Sequence, residues 1–230
     1  MRLTRAELAR LVDKSSRDPD VVRLYEEHDF LEAYALHTDQ RVANDPHAAI
    51  GGLWEEYGEL CRDYLIAQGL LPEHRLLDFG CGTGRLARKV VPYLEPGRYF
   101  GVDISRKALA HAWKLARDEG WSNQLPSFLH SDFMDDLRPF DFVWAFSVMI
   151  HLPPSEVERA FARIARLLRP SGRFLFSYVP TPTHVRTGLK QFKHPFAFYE
   201  EALADCGLIV TEVAWPGLQR IALARFAARA

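Results

Sequence analysis

The sequence contains few cysteines, and they are widely separated. Cys61, Cys81 and Cys206 form no C-x-x-C motif within the 230 residues. This spacing excludes a disulfide framework and indicates a reducing compartment. The charged amphipathic segment at the amino terminus lacks the apolar stretch of a secretory signal, so we expect a cytoplasmic protein.

Long apolar runs and strong net charge are also missing. The longest apolar run, residues 142–150, is too short to span a bilayer, so we expect no membrane partner. The formal net charge is -1, and no overall positive field attracts nucleic acid. With 48% hydrophobic and 26% charged residues, the composition is that of a globular protein with a sizeable core.

Two kinds of catalytic motif are absent as well. The sequence has no G-x-S-x-G elbow, which a Ser-His-Asp hydrolase of the common type would carry. Its histidines show no ligand spacing such as H-x-x-x-H, so we expect no metal site.

The most informative stretch is LLDFGCGTGR, at residues 76–85. A short apolar run contains an aspartate, three glycines then alternate with small residues, and a segment compatible with a helix follows. This pattern predicts a buried strand, a tight turn and a helix N-terminus, where a ligand can approach the backbone closely. The candidate ligand-binding residues are Asp78, Gly80, Cys81, Gly82, Thr83, Gly84 and Arg85. For Arg85, the alternative is a solvated residue that only begins the helix.

Two nucleotide cofactors use such a junction. Residues 82–87 can be aligned with the G-x-G-x-x-A dinucleotide motif, so an NAD(P)-dependent oxidoreductase is one alternative. However, a carboxylate at Asp78 would repel a diphosphate and would suit a cofactor with an ammonium and a sulfonium group. S-Adenosyl-L-methionine carries both groups and no phosphate, so Asp78 favours this cofactor.

The stretch LLDFGCGTGR resembles the first motif of the class I S-adenosylmethionine-dependent methyltransferases. After residue 70, strand and helix patterns alternate, which is typical of a parallel sheet with helices on both faces. The strands are predicted at residues 75–79, 98–103, 127–130, 142–147, 173–179, 208–213 and 220–226. The last two must be antiparallel to each other because a short turn joins them. The resemblance thus implies a Rossmann-like α/β methyltransferase fold over residues 71–230, with a doubly wound, seven-stranded, mostly parallel sheet and an antiparallel C-terminal strand.

Residues 1–70 have helical patterns. A capping box at residues 4–7 begins a short helix, residues 21–43 have a mixed pattern, and residues 53–69 form a clearer amphipathic helix. We expect a helical extension that either packs against the sheet or forms a lid over the cofactor, with Trp54 at its edge.

Carboxylates follow two further predicted strands. Asp103 ends the second strand, where it can accept hydrogen bonds from ribose hydroxyls, and Ile104 and Ser105 follow it in the same cofactor site. Asp132 resembles the acidic position at which the family binds the adenine amino group, and Phe133 would support the ring. A solvated strand-end aspartate and an ordinary loop aspartate are the respective alternatives.

Residues 140–152 resemble the fourth motif of the family and the segment after it. The resemblance places Ser147 and Val148 beside the methionine moiety. The Asn/Asp-Pro-Pro-Tyr/Phe motif of members that methylate nitrogen of adenine or glutamine is missing, which argues against those acceptors. His151 falls where the methyl group is expected to point. It either takes a proton from the acceptor or only packs near the site, because in-line positioning can suffice for methyl transfer.

We therefore expect a methyltransferase that acts on oxygen or nitrogen of a small molecule. The long segment at residues 180–194 is a further candidate for the acceptor pocket. A methyltransferase-like module that binds without turnover is the second alternative. The oligomeric state is not indicated.

Overall fold

The computed structural model describes residues 18–227. The predicted helix that begins with the capping box at residues 4–7 lies outside this range. Within it, no helix is both long enough and apolar enough to cross a membrane.

A seven-stranded sheet forms the centre of the structure. The strands are β1 Leu76–Phe79, β2 Tyr99–Asp103, β3 Ser127–His130, β4 Phe140–Ala145, β5 Leu168–Tyr178, β6 Val185–Gly188, β7 Gln191–Lys193, β8 Leu208–Val213 and β9 Arg220–Phe226. The sheet order is β3-β2-β1-β4-β5-β9-β8, and β6 pairs with β7 in a separate hairpin. β9 is antiparallel to both β5 and β8, whereas the other six strands of the sheet run in one direction. The predicted fold class is confirmed.

Helices cover both faces of this sheet and extend beyond it. They are α1 Pro19–Glu27, α2 Phe30–Asn44, α3 Pro46–Ala49, α4 Trp54–Ala67, α5 Ala87–Val90, α6 Arg106–Asp118, α7 Pro154–Leu167 and α8 Phe196–Ala204. Three of them begin at a side chain that accepts a hydrogen bond from the first turn, which stabilises the helix start. These N-caps are Asp18, Asp45 and Ser105.

Neighbouring residues of the strands belong to two different cores, because side chains alternate across a strand. Leu77 and Val143 pack in the core that contains α7 and α8. Leu76, Phe142 and Trp144 pack in the core that contains α4, α5 and α6. Both faces are therefore buried, which explains why β1 and β4 are mostly apolar and do not alternate between apolar and polar residues.

The helical extension differs from its predicted pattern. The mixed segment at residues 21–43 is two helices, separated at His28 and Asp29. These two helices enclose a small apolar cluster of Val21, Tyr25 and Ala33, to which Leu189 of the β6–β7 hairpin also belongs. The extension is thereby joined to a distant part of the chain. Its treatment as a separate domain ending near residue 70 remains a prediction.

Three predicted boundaries were wrong. β4 ends at Ala145, because Ser147 has φ +59° and leaves the extended conformation. β5 begins at Leu168, before the predicted start at residue 173, and its pairing with β4 has an irregularity between these two positions. The predicted loop at residues 180–194 contains the β6–β7 hairpin.

Candidate active site

A cavity of about 690 Å³ opens at the carboxyl ends of β1, β2 and β4. This volume is within the range of small-molecule binding sites. Residues from the strand ends of the sheet, from the helical extension and from the β6–β7 hairpin contribute to its wall. The carboxyl edge of the sheet is where parallel α/β folds bind their ligands.

The glycine turn after β1 forms the floor of the cavity. Gly80 and Gly82 line it and have φ values of +80° and +57°. A Cβ atom at Gly80 would collide with Val148, and one at Gly82 would lie 2.8 Å from Cγ2 of Ile50. The turn therefore requires glycine at both positions, both for the backbone angle and for the space.

Asp78 lies at this floor and is only 4% exposed. Its carboxylate accepts a hydrogen bond of 2.7 Å from the Tyr99 hydroxyl. Burial raises the pKa of Asp78 to about 7, although Tyr99 and the more distant Arg85 lower it. Asp78 forms no ion pair within residues 18–227, and a buried carboxylate of this kind is electrostatically suited to a cationic ligand, so it fits a sulfonium and ammonium cofactor.

Asp103 ends β2 and braces the same turn. One carboxylate oxygen accepts from the Gly82 N–H at 2.8 Å, and the other accepts from the Ser105 N–H at 2.8 Å. Burial raises the pKa of this carboxyl group. Each oxygen retains a second lone pair, so Asp103 can still accept a hydrogen bond from a ribose hydroxyl.

The other predicted residues of the turn do not all line the cavity. Cys81 lines the cavity, and burial raises the pKa of its thiol, which keeps it protonated. Thr83 is buried outside the lining, where its hydroxyl donates to the carbonyl of Pro46 at 3.1 Å. Gly84 also lies outside the lining and faces α6, because a Cβ there would contact Ala112.

Arg85 and Trp54 connect the turn to the extension. Arg85 lines the cavity and donates to the Gly52 carbonyl at 2.9 Å, so it is not the solvated residue of the alternative interpretation. Trp54 lies outside the lining and stacks on His47, with 4.0 Å between ring centroids.

The structure places only some of the predicted residues that follow β2 and β3 at the cavity. Ile104 lines the cavity. Ser105 is buried behind it, where its hydroxyl caps α6 and donates to Asp39 at 2.5 Å. Asp132 and Phe133 are exposed and lie outside the lining; Asp132 is 2.9 Å from a ring nitrogen of His130. Their role at the adenine ring stays a prediction.

Ser147 and Val148 line the cavity opposite the glycine turn. The left-handed backbone of Ser147 is held by two side chains, which compensate its strain. Its N–H donates to the Ser177 hydroxyl at 2.6 Å, and its hydroxyl accepts from Gln219 Nε2 at 2.6 Å. The second bond ties the end of β4 to the turn between β8 and β9.

His151 also lines the cavity and lies in a short 3-10 turn, Met149–His151. Its Nδ1 lies 2.7 Å from the carbonyl oxygen of Lys190, and a carbonyl can only accept, so Nδ1 carries the proton. Burial, reinforced by the charge of Lys190, lowers the pKa of His151 to about 4. At neutral pH, Nε2 is therefore an unprotonated proton acceptor.

Several lining residues were not identified from the sequence. Tyr34, Thr38 and Arg41 lie on one face of α2, and Lys190 and Gln219 come from the two C-terminal hairpins. The spacing of the three α2 residues, about one helical turn apart, was a signal that could have placed them on one face. No local pattern distinguishes Lys190 or Gln219.

No metal site accompanies these groups within residues 18–227. No cluster of three or more His, Cys, Asp or Glu side chains there is suited to hold a metal ion.

The sheet order and the glycine turn with its two carboxylates define a Rossmann-like domain that is suited to a nucleoside cofactor. Comparison with known proteins agrees with this. The family model of a methyltransferase domain matches residues 77–174. This match supports the predicted class, the class I S-adenosylmethionine-dependent methyltransferases, and with it S-adenosyl-L-methionine as the cofactor.

Two curated relatives and one solved structure illustrate the similarity. A sterol 24-C-methyltransferase of Gibberella zeae is 32% identical over 54% of this chain and 32% of its own length. The magnesium-protoporphyrin O-methyltransferase of Synechocystis is 31% identical over 51% of this chain and 49% of its own length. The solved structure of magnesium protoporphyrin IX methyltransferase from Synechocystis contains bound S-adenosylmethionine and aligns with this chain at a TM-score of 0.62 and 22% identity. The alignment covers 89% of this chain and 88% of that one, which shows that the two share a fold. The chain spans a third to a half of the length of these curated relatives.

Proposed function

We propose that this protein transfers the methyl group of S-adenosyl-L-methionine to an oxygen or nitrogen atom of a small-molecule acceptor. The observation that carries the proposal is the combination of residues around one cavity. The glycine turn with Asp78 and Asp103 lines it, and so does His151, whose Nδ1 carries the proton and whose Nε2 can accept one.

The glycine turn and the two carboxylates would hold the cofactor. The backbone at Gly80 and Gly82 leaves room for close approach, and Asp103 would accept from the ribose. Asp78 would lie near the ammonium and sulfonium charges. Asp132 and Phe133 would enclose the adenine. When bound, the cofactor supplies an electrophilic methyl group.

His151 would act on the acceptor. The proton lost by the acceptor's oxygen or nitrogen on methylation would pass to Nε2 of His151, while the sulfur that gives up the methyl group would leave as the neutral thioether S-adenosylhomocysteine. The hydrogen bond to the Lys190 carbonyl holds the ring in the tautomer that this step needs. Proton acceptance of this kind supports transfer to a hydroxyl or an amine more directly than transfer to carbon.

Binding and turnover test the proposal separately. We expect saturable binding of S-adenosylhomocysteine by calorimetry and none of NADH; the reverse result would support the oxidoreductase instead. The purified protein is then incubated with methyl-labelled S-adenosyl-L-methionine and a library of small hydroxyl and amine compounds. Mass spectrometry detects the methylated product, and the chemical shift of the methyl carbon identifies the atom that carries it.

The possible outcomes test different parts of the proposal. An O-methyl or N-methyl product supports it. The names of the relatives include a C-methyltransferase and an O-methyltransferase, so a C-methyl product would overturn the assignment of the atom but not the reaction class. Binding of the cofactor without any product across the library would favour the module without turnover.

A further inference from the structure

Lys190 is buried in the wall of the cavity, and its backbone carbonyl contacts His151. With Leu189 it forms the turn between β6 and β7, and it is only 9% exposed. Leu189 packs in the apolar cluster of α1 and α2, which anchors the tip of the hairpin. Lysine is rarely buried without a partner, so the position needs a physical explanation.

Within residues 18–227, no carboxylate forms an ion pair with Lys190. Its Nζ lies 5.1 Å from the centroid of the Tyr34 ring, and its backbone carbonyl accepts from His151. The charge of Lys190 lowers the pKa of both His151 and His37, to about 4 in each case, although burial is the larger cause. The groups that face the ammonium are therefore neutral, apart from one further cation.

That cation is Arg41, which also lines the cavity and forms no ion pair with a carboxylate in the described part of the chain. Its guanidinium donates to the Ala48 carbonyl at 2.9 Å, which leaves most of its donors unused. Two other arginines of the lining are neutralised. Arg159 pairs with Glu156, and Arg163 pairs with Asp135. A fourth arginine of the lining, Arg85, forms no ion pair among the described residues either, but it donates to the carbonyls of Ile50 and Gly52 beside the glycine turn.

An uncompensated buried ammonium is unfavourable. Burial, with the nearby charge of Arg41, lowers the pKa of Lys190 to about 7. An anion supplied by a ligand would restore the charged form and satisfy both cations. Arg41 stays protonated, so the pair presents at least one permanent positive charge to such an anion.

We propose that the acceptor carries a carboxylate, which Lys190 and Arg41 bind in the cavity beside His151. This inference rests on the proposed function, because it names the acceptor class of the same site. It makes Lys190 a specificity-determining residue whose backbone positions His151 and whose side chain selects the acceptor.

The test uses matched pairs of small compounds. Protein saturated with S-adenosylhomocysteine is titrated calorimetrically with carboxylates and their carboxamides: benzoate and benzamide, 4-hydroxybenzoate and 4-hydroxybenzamide, indole-3-acetate and indole-3-acetamide. The same titrations are made with Lys190→Met, Arg41→Met and the control Lys193→Met. Lys193 lies on the same hairpin but outside the cavity lining.

We expect at least one acid to bind at least about tenfold more tightly than its amide, consistent with a charge-assisted hydrogen bond in a buried site. Lys190→Met and Arg41→Met should each remove that preference, whereas Lys193→Met should keep it. Acid binding that survives in Lys190→Met would overturn the proposal, as would equal binding of acid and amide or failure of every acid at millimolar concentration.

Cofactor binding separates this result from the proposed function. Each variant is first titrated with S-adenosylhomocysteine, which also shows that it has folded. If the wild-type protein binds no S-adenosylhomocysteine, the proposed function fails. If it does bind and no acid preference is found, only the carboxylate proposal fails.

Discussion

Two parts of the cavity are built in different ways. The part proposed for the cofactor comes mainly from residues 78–85 and from Asp103 on the neighbouring strand, and it holds two buried carboxylates together with Arg85. The part proposed for the acceptor takes Arg41 from α2, His151 from a 3-10 turn and Lys190 from a hairpin, and within residues 18–227 neither of its cations pairs with a carboxylate. A shared cofactor needs one conserved geometry, which a compact motif supplies. An individual acceptor needs a particular surface, which separate segments can vary independently.

The largest effect on activity is expected from a change at His151. We expect His151→Ala to lower kcat by about 10²- to 10⁴-fold, because the acceptor loses its proton acceptor. The affinity for S-adenosylhomocysteine should change less than about twofold, since the residue belongs to the part proposed for the acceptor. Steady-state kinetics with an acceptor from the library screen, together with calorimetry, measure both. His28→Ala, outside the cavity lining, is the control; unchanged kcat in His151→Ala would remove the residue from catalysis.

The matching change in the part proposed for the cofactor is Asp103→Ala. It leaves the N–H groups of Gly82 and Ser105 without their acceptor, which loosens the turn. We expect the affinity for S-adenosylhomocysteine to fall by about a hundredfold, because two partly buried donors lose their partner. Asp118→Ala, at the exposed end of α6, should bind normally. Equal affinities in the two variants would show that Asp103 does not support the cofactor.

A smaller effect concerns pH. Because burial raises the pKa of Asp78 to about 7, the carboxyl group is mainly protonated below that pH and ionised above it. A cationic cofactor prefers the ionised form, so the affinity for S-adenosyl-L-methionine should rise by up to about tenfold per pH unit below 7 and level off above it. Calorimetry between about pH 5.5 and 8 measures the slope. Asp78→Asn should bind weakly with no such slope, and an identical pH profile in that variant would assign the slope to another group.

The smallest expected effect is at Gln219, which joins the C-terminal turn to the cavity through the Ser147 hydroxyl. Gln219→Ala removes one hydrogen bond and should lower the free energy of unfolding by about 1 kcal/mol. Chemical denaturation measures this, with Gln191→Ala on the exposed side of β7 as control. A loss of cofactor affinity beyond about threefold would mean that Ser147 is held in place mainly by this bond.

Much of the fold could be predicted because its signals are local. The strands at residues 127–130, 208–213 and 220–226 were predicted at their observed bounds. The predicted ends of strands were wrong where a tertiary contact overrides the local pattern. Ser147 leaves the strand early because Ser177 and Gln219 hold it in the left-handed conformation, and neither residue is near it in sequence.

The same distinction between local and tertiary signals applies to the candidate site. Residues of the glycine turn and His151 were placed at the cavity by motif and strand position. Thr83, Gly84 and Ser105 were assigned to the cofactor, but they lie behind the lining and support it. Sequence position gives the neighbourhood of a side chain, whereas its direction depends on the packing around it.

By itself, the sequence determined the doubly wound sheet, the glycine turn and the choice of a cationic nucleoside cofactor. These depend on backbone angles, strand periodicity and one carboxylate, all of which are properties of short stretches of chain. Only the tertiary structure decided the part proposed for the acceptor. Arg41, His151 and Lys190 meet there because Leu189 packs between α1 and α2 and draws the hairpin over the cavity. That contact joins segments far apart in the chain, so no local pattern could reveal the pair of cations that it creates.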